Sequence, residues 1–244
     1  MLKRSALLPT MALALIAIVT ALPVPAQAAS SAPASAAAPV SAQAATAFDV
    51  GLIPFTRACP IGSERITIRM DDEDDDNNNS HSGFNGAIIS NSNTDLFFCR
   101  VDGRSLRAFQ PSGSGTKIYP YAVLKLNTTC PNDSVEFTRR FDNEDEGNNN
   151  SHQGQIFPNV SDSNTTLKFC LFHLGRTMTS FPSYGFGYGV FSSDLGHTQR
   201  GFIYTDDEDD SNNNSYVVDS AHREVAQRII SAGSNTTLRM TSTR

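Results

Sequence analysis

The chain has 244 residues, with 19 Lys and Arg against 25 Asp and Glu, four Cys and no Trp. At 39% hydrophobic and 18% charged residues, it is too apolar for a wholly disordered chain and too polar for a multi-span membrane protein. The net charge of −6 is unevenly spread: the windows Asp71–Ser80, Asp142–Ser151 and Asp206–Ser215 hold 6, 4 and 5 of the 25 carboxylates.

The N-terminus reads as a bacterial-type secretory signal. Lys3 and Arg4 form a charged start, Met11–Leu22 an apolar core, and Ala26-Gln27-Ala28 a small-residue cleavage site. Cleavage is expected after Ala28, giving a secreted or periplasmic protein. The apolar run ends at Pro23, short of the ~20 residues a span needs. No later run reaches that length, so the mature chain is expected to have no membrane span. Residues 29–47 are almost wholly Ala, Ser, Pro and Gln. Such a segment buries too little surface to offset its ordering entropy, and reads as a disordered linker.

An internal repeat follows. Asp71 and Asp142 are 71 residues apart, as are Ser92 and Ser163, Cys59 and Cys130, and Cys99 and Cys170. A third copy opens its window at Asp206 and carries seven extra residues around Ser220–Gln227. The expected units are 48–118, 119–186 and 187–244, together one domain. Strand-like runs recur in each. Val50–Phe55 and Tyr121–Leu126 are apolar. Arg65–Met70, Val135–Phe141 and Gly201–Thr205 alternate with period two, and short runs follow at Gly86–Ser90 and Gln155–Val160. Leu96–Cys99, Leu167–Cys170 and Leu238–Met240 come after the Ser-Asn-Thr turns. This predicts an all-β fold of about four strands per unit, either β-trefoil or β-prism-like or tandem small β modules. Only Ala221–Ile230 has a helical spacing, with Ala221, Val225 and Ile229 four apart.

The cysteines predict two disulfides. Cys59 and Cys99 are 40 apart, as are Cys130 and Cys170, and the third copy lacks both partners together, with Asp194 and Thr241 in their places. Joint absence is the mark of pairs within a unit, so Cys59–Cys99 and Cys130–Cys170 are expected in an oxidising compartment.

Seven of the ten window positions match in all three copies. They offer only oxygen donors and amides, the ligand set of a hard cation. Ca²⁺ takes six to eight oxygens, and no soft ligand is present for zinc or copper. Two bare charges 4 Å apart at an effective dielectric of 20 repel by about 4 kcal/mol, so the loops call for neutralisation. The expected calcium ligands are Asp71, Glu73, Asp74, Asp142, Glu144, Asp145, Asp206, Glu208 and Asp209, then Asn77, Asn148 and Asn212. The alternatives are pairing with Arg69, Arg139, Arg140 or Arg200, and a merely solvated acidic run.

Other features are less pointed. His81 and His152 share one slot, occupied by Tyr216 in the third copy; repetition argues against catalysis. The aromatic, Gly-rich Phe181–Phe191 stretch reads as a bulged strand packing its rings inward, with a ligand-stacking or lipid-touching loop as the alternative. Basic residues are scattered and the windows repel phosphate, so no nucleic-acid partner is expected. The first functional expectation is a secreted, non-enzymatic calcium-binding β-repeat protein. The second is a multivalent carbohydrate-binding protein for a cell-surface or extracellular glycan, with avidity from three copies. A secreted hydrolase would place its catalytic pair near the insert of the third unit.

Overall fold

The chain enters its first strand at Asp49, and Asp49–Pro54 (β1) is buried at every residue. A computed structural model describes residues 45–72, 77–145, 147–196, 198–207, 213–233 and 236–243. The expected signal segment 1–28 and nearly all of the linker lie outside these residues. Arg65–Met70 (β2), Ser80–Gly83 (β3), Ile89–Ser90 (β4), Thr94–Asp102 (β5) and Ala108–Phe109 (β6) follow. Next come Tyr121–Lys125 (β7), Val135–Phe141 (β8), Ser151–Gln153 (β9), Val160–Ser161 (β10), Thr165–Phe172 (β11) and Thr177–Met178 (β12). Tyr188–Phe191 (β13), Arg200–Thr205 (β14), Ser215–Val217 (β15), the helix Arg223–Ile229 (α1) and Thr236–Ser242 (β16) complete the order.

The protein is all-β. Fourteen of the described strands join one hydrogen-bonded network with antiparallel pairings, and β6 and β12 form a separate parallel pair. The order β1–β5–β2 recurs as β7–β11–β8 and as β13–β16–β14. At the centre, β1, β7 and β13 each pair with the other two. These three strands are buried on both faces, which is why they read as continuous apolar runs rather than as alternation. Leu52, Val123 and Val190 point to one core cluster, and Ile53, Leu124 and Phe191 to the other. At Gly51 an added Cβ would lie 3.0 Å from the Phe98 β-carbon and 3.3 Å from that of Leu124. A side chain there would require Phe98 and Leu124 to give way by a few tenths of an ångström.

β2, β8 and β14 keep the period-two pattern, burying Ile66, Ile68 and Met70, then Phe137, Arg139 and Phe141, then Ile203 and Thr205. The Phe137 and Phe169 rings stack at 5.0 Å. Both disulfides join as the spacing required, Cys59–Cys99 and Cys130–Cys170, each with a sequence separation of 40. Cys99 lies opposite Leu52 and Cys170 opposite Val123; Thr241 takes the corresponding register opposite Val190. There its hydroxyl donates to the Ser192 carbonyl at 3.1 Å in place of a disulfide. Two such bonds fit an extracellular or periplasmic setting. Among the described residues no helix is long and apolar enough to cross a membrane.

The helix begins later than its spacing implied. Ala221 is exposed ahead of it, and Ala226 and Ile229 are the residues it buries. His222 at its start meets His173, just after β11, with Nε2 of His173 and Nδ1 of His222 2.8 Å apart. Burial and the neighbouring His222 hold the His173 imidazole below its usual range. The aromatic stretch packs inward: the Phe181 ring lies 4.7 Å from Phe109 and 5.1 Å from Tyr121.

Candidate cation site at the interlocked acidic windows

The windows begin where β2, β8 and β14 end, and they hold one another. The Asp71 carboxylate accepts the backbone N–H of Asn149 at 2.7 Å, and the Asp206 carboxylate that of Asn78, also at 2.7 Å. The Asp142 carboxylate accepts the N–H of Asn213. Each contact is returned. The Asp71 N–H donates to Asn150 Oδ1 at 2.7 Å, the Asp142 N–H to Asn214 Oδ1 at 3.2 Å, and the Asp206 N–H to Asn79 Oδ1 at 2.7 Å. The Asn run of the first window thus grips the third, that of the second the first, and that of the third the second. Just beyond, β3 pairs with β14, β9 with β2 and β15 with β8, extending the same three junctions as backbone ladders. Bonds to ionised carboxylates are about twice as strong as neutral ones, so the ring of Asp–Asn contacts is a stabilising clasp.

The second position of each window, Asp72, Asn143 or Asp207, is fully buried. Asn79 and Thr94 donate to Asp72 Oδ2 at 2.7 and 2.6 Å. Asn150 donates to Asn143 Oδ1 at 2.9 Å. Asp207 Oδ2 accepts from Thr236 at 3.1 Å and from the Arg139 guanidinium at 3.3 Å. Arg139 is only 1% exposed, although it occupies on β8 the slot that Ile68 holds on β2 and Ile203 on β14, three residues before each window. Its Nε also donates to Thr236 and its Nη2 to the Gly233 carbonyl. Asp72 Oδ1, Asn143 Nδ2 and Thr165 Oγ1 are buried here with no hydrogen-bond partner among the described residues. Burial pushes the Asp72 carboxyl up to about 8, with the charges of Asp207 and Asp71 adding to it and the Thr94 and Asn79 bonds opposing. Burial likewise lifts Asp207 to about 7 against the pull of Arg139.

The anticipated ligands fall into four groups. Asp71, Asp142 and Asp206 converge on the junctions, where their carboxylates serve the clasp. Glu144 is buried, and its N–H donates to the Asp71 carbonyl at 3.0 Å; Asp145 is exposed. Asn77 and Asn148 turn their amides onto the Ser92 and Ser163 carbonyls, each at 3.0 Å, and their Oδ1 atoms accept the N–H of Asn79 and Asn150. Glu73, Asp74, Glu208, Asp209 and Asn212 lie outside the described residues. Among the described residues no three His, Cys, Asp or Glu side chains gather as a metal-binding group. Of the anticipated arginine partners, Arg139 is the one seen on a window carboxylate among the described residues. Arg69 faces Asp95 at 3.6 Å and Arg200 faces Asp194 at 3.9 Å. His81 and His152 sit exposed on β3 and β9, and Tyr216 on β15 stacks against Phe137 at 5.6 Å.

Asp72, Asn143 and Asp207 were absent from the expected ligand set. The signal for them was the strand period. Inward positions 66, 68 and 70 continue to 72, as 137, 139 and 141 continue to 143, and 203 and 205 to 207.

The fold and its cross-links define an all-β, disulfide-bonded protein with a buried acidic hub. The family model described as Bacterial ApeC matches residues 38–170, more than half of the chain. The chain belongs to the bacterial ApeC family. The matched stretch takes in both disulfides and the first two windows. No curated protein and no solved structure matches the chain.

Proposed function

We propose that this is an exported, non-enzymatic β protein of three copied units whose acidic windows form an interlocked hub neutralised by Ca²⁺. The recurring strand order supports three copies, and the set of oxygen and amide donors supports a hard cation. The observation that carries the reading is Asp72. Its carboxylate is fully buried, one oxygen meets no donor among the described residues, and Asp71 and Asp207 add like charge. Burial holds that carboxyl largely protonated at neutral pH, and a cation that joins it takes the place of the proton. Adding CaCl₂ to the chelator-stripped chain is expected to raise the melting temperature and release heat in calorimetry. A chain that shows neither with millimolar Ca²⁺ sinks the reading.

A second reading, glycan binding, is favoured by a separate cavity of about 520 Å³ walled by Phe109, Tyr119 and Phe181. Ser112, Thr198 and Thr243 are among its lining residues. Rings that stack on a sugar face beside hydroxyls that meet its polar edge suit a neutral saccharide. On a glycan array the chain is expected to retain one saccharide class, with the signal lost in Tyr119→Ala. Equal signals with and without chelator would separate this cavity from the calcium hub. An empty array ends the second reading.

A further inference from the structure

We propose that the outer sheet face formed by β14 and β16 binds a phosphate group between Arg200 and Arg239. The site uses neither the acidic windows nor the aromatic cavity, so it stands apart from the calcium and glycan readings.

One outer-face diagonal recurs on the three strand sets. It joins the residue opposite Cys99, Cys170 or Thr241 to the residue two places before that Cys or Thr. Such diagonal neighbours lie ~7–8 Å apart, within reach of long side chains. On β2 and β5 the pair is Arg65 and Phe97, with the guanidinium 5.9 Å from the ring centre; Arg65 also donates to Gln153 Oε1 at 2.6 Å. On β8 and β11 it is Glu136 and Lys168, an ion pair at 3.2 Å. On β14 and β16 it is Arg200 and Arg239. Like charges on neighbouring strands repel, so this diagonal lacks the complement that the other two carry within themselves.

The surroundings do not supply it. Arg239 is half-buried, and its side chain has no hydrogen bond, ion pair or ring contact among the described residues. Arg200 reaches one carboxylate, that of Asp194, at 3.9 Å. Both arginines border a cleft of about 310 Å³, with Ser82, Ser193 and Phe202. The Ser82 and Ser193 hydroxyls also lack partners among the described residues, and Phe202 is 39% exposed. Every polar side chain bordering the cleft can donate a hydrogen bond, and none is a carboxylate.

This donor set selects the ligand. Guanidiniums suit both carboxylates and phosphates. A carboxylate brings one charge and two oxygens, whereas a phosphate monoester brings about −1.5 to −2 at pH 7 and three acceptor oxygens. Two guanidiniums and two hydroxyls match the phosphate. Phe202 gives an apolar wall to whatever the phosphate is attached to, so free phosphate and a phosphate ester share the chemistry.

The test is calorimetric titration of the metal-free full chain in calcium-free chloride buffer, with inorganic phosphate, phenyl phosphate and acetate. One phosphate per chain is expected. Arg200→Ala and Arg239→Ala should each weaken it about tenfold or more, the loss that follows when one of two charge-assisted contacts goes. Arg65→Ala, at the matching slot of β2, should leave it unchanged. Asp194→Asn should tighten it, because it frees Arg200 and keeps the Oδ1 that accepts the Gly196 N–H at 2.7 Å. Circular dichroism on each variant checks the fold. Phenyl phosphate binding more tightly, with the gain lost in Phe202→Ala, assigns the site to esters; equal or weaker binding assigns it to free phosphate, and either supports the proposal. No heat with millimolar phosphate, binding that survives Arg239→Ala, or acetate bound as tightly as phosphate overturns it.

Discussion

Replacing Arg139 with alanine should destabilise the folded protein by about 3–5 kcal/mol, the usual cost of removing one partner from a buried ion pair. The guanidinium is enclosed between Asp207, Thr236 and the Gly233 carbonyl, and it lies 5.4 Å from the centre of the Phe141 ring. Its removal strands the Asp207 carboxylate, which burial already disfavours, and opens a void at the junction of β8 and β16. The charge and not the volume is the larger effect. Arg139→Ile combined with Asp207→Asn should therefore recover most of the loss. Urea unfolding at pH 7 measures both. A loss below about 1 kcal/mol for Arg139→Ala, or a double variant no better than the single, would contradict the assigned role.

Removing one disulfide has an effect of similar size from a different source. Cys130→Ser with Cys170→Ser opens a loop with a sequence separation of 40. In the chain-entropy account that costs roughly 3–4 kcal/mol, model-dependent, by freeing the unfolded chain. For a chain of this length that corresponds to a fall in melting temperature of roughly 6–16 °C. The Cys59–Cys99 pair closes a loop of the same separation and should give a comparable fall. Removing both should approach the sum, because the cross-links lie in different hairpin sets. Melting followed by circular dichroism checks this, and a shift under about 2 °C for either pair would show that the cross-link is not a principal restraint.

Much of this architecture was legible in the residues. The period-two runs Arg65–Met70 and Val135–Phe141 coincide with β2 and β8, because a half-buried strand writes its two faces into alternate side chains. The cysteine pairs were legible because two copies carry both members and the third carries neither. The strands β3, β9 and β15 were not. Ser-His-Ser-Gly and Ser-His-Gln are polar and exposed throughout, and the strands they pair with, β14 and β2, lie far away along the chain. Backbone hydrogen bonds to a distant strand leave no mark on side-chain type.

The site was half legible. The windows stood out by charge, which drew attention to their most regular positions. Those first aspartates turn out to bind Asn N–H groups. The buried second position was written in the strand period instead, and the charged residue among inward apolar ones, Arg139 where Ile68 and Ile203 stand, marked where one window finds its counter-charge.

The circular order of the clasp has a consequence for biogenesis. Asn78 meets Asp206 across 128 residues, and β3 finds β14 only once nearly the whole chain has been delivered. Until then β3 presents an unpaired edge. A chain cut short before Arg200 would leave three bare edges, since β3 would lack β14, the outer side of β8 would lack β15 and β13 would lack β16. Open edges recruit other chains. Interrupted synthesis or proteolysis after β13 should thus yield a self-associating fragment and not a smaller soluble domain.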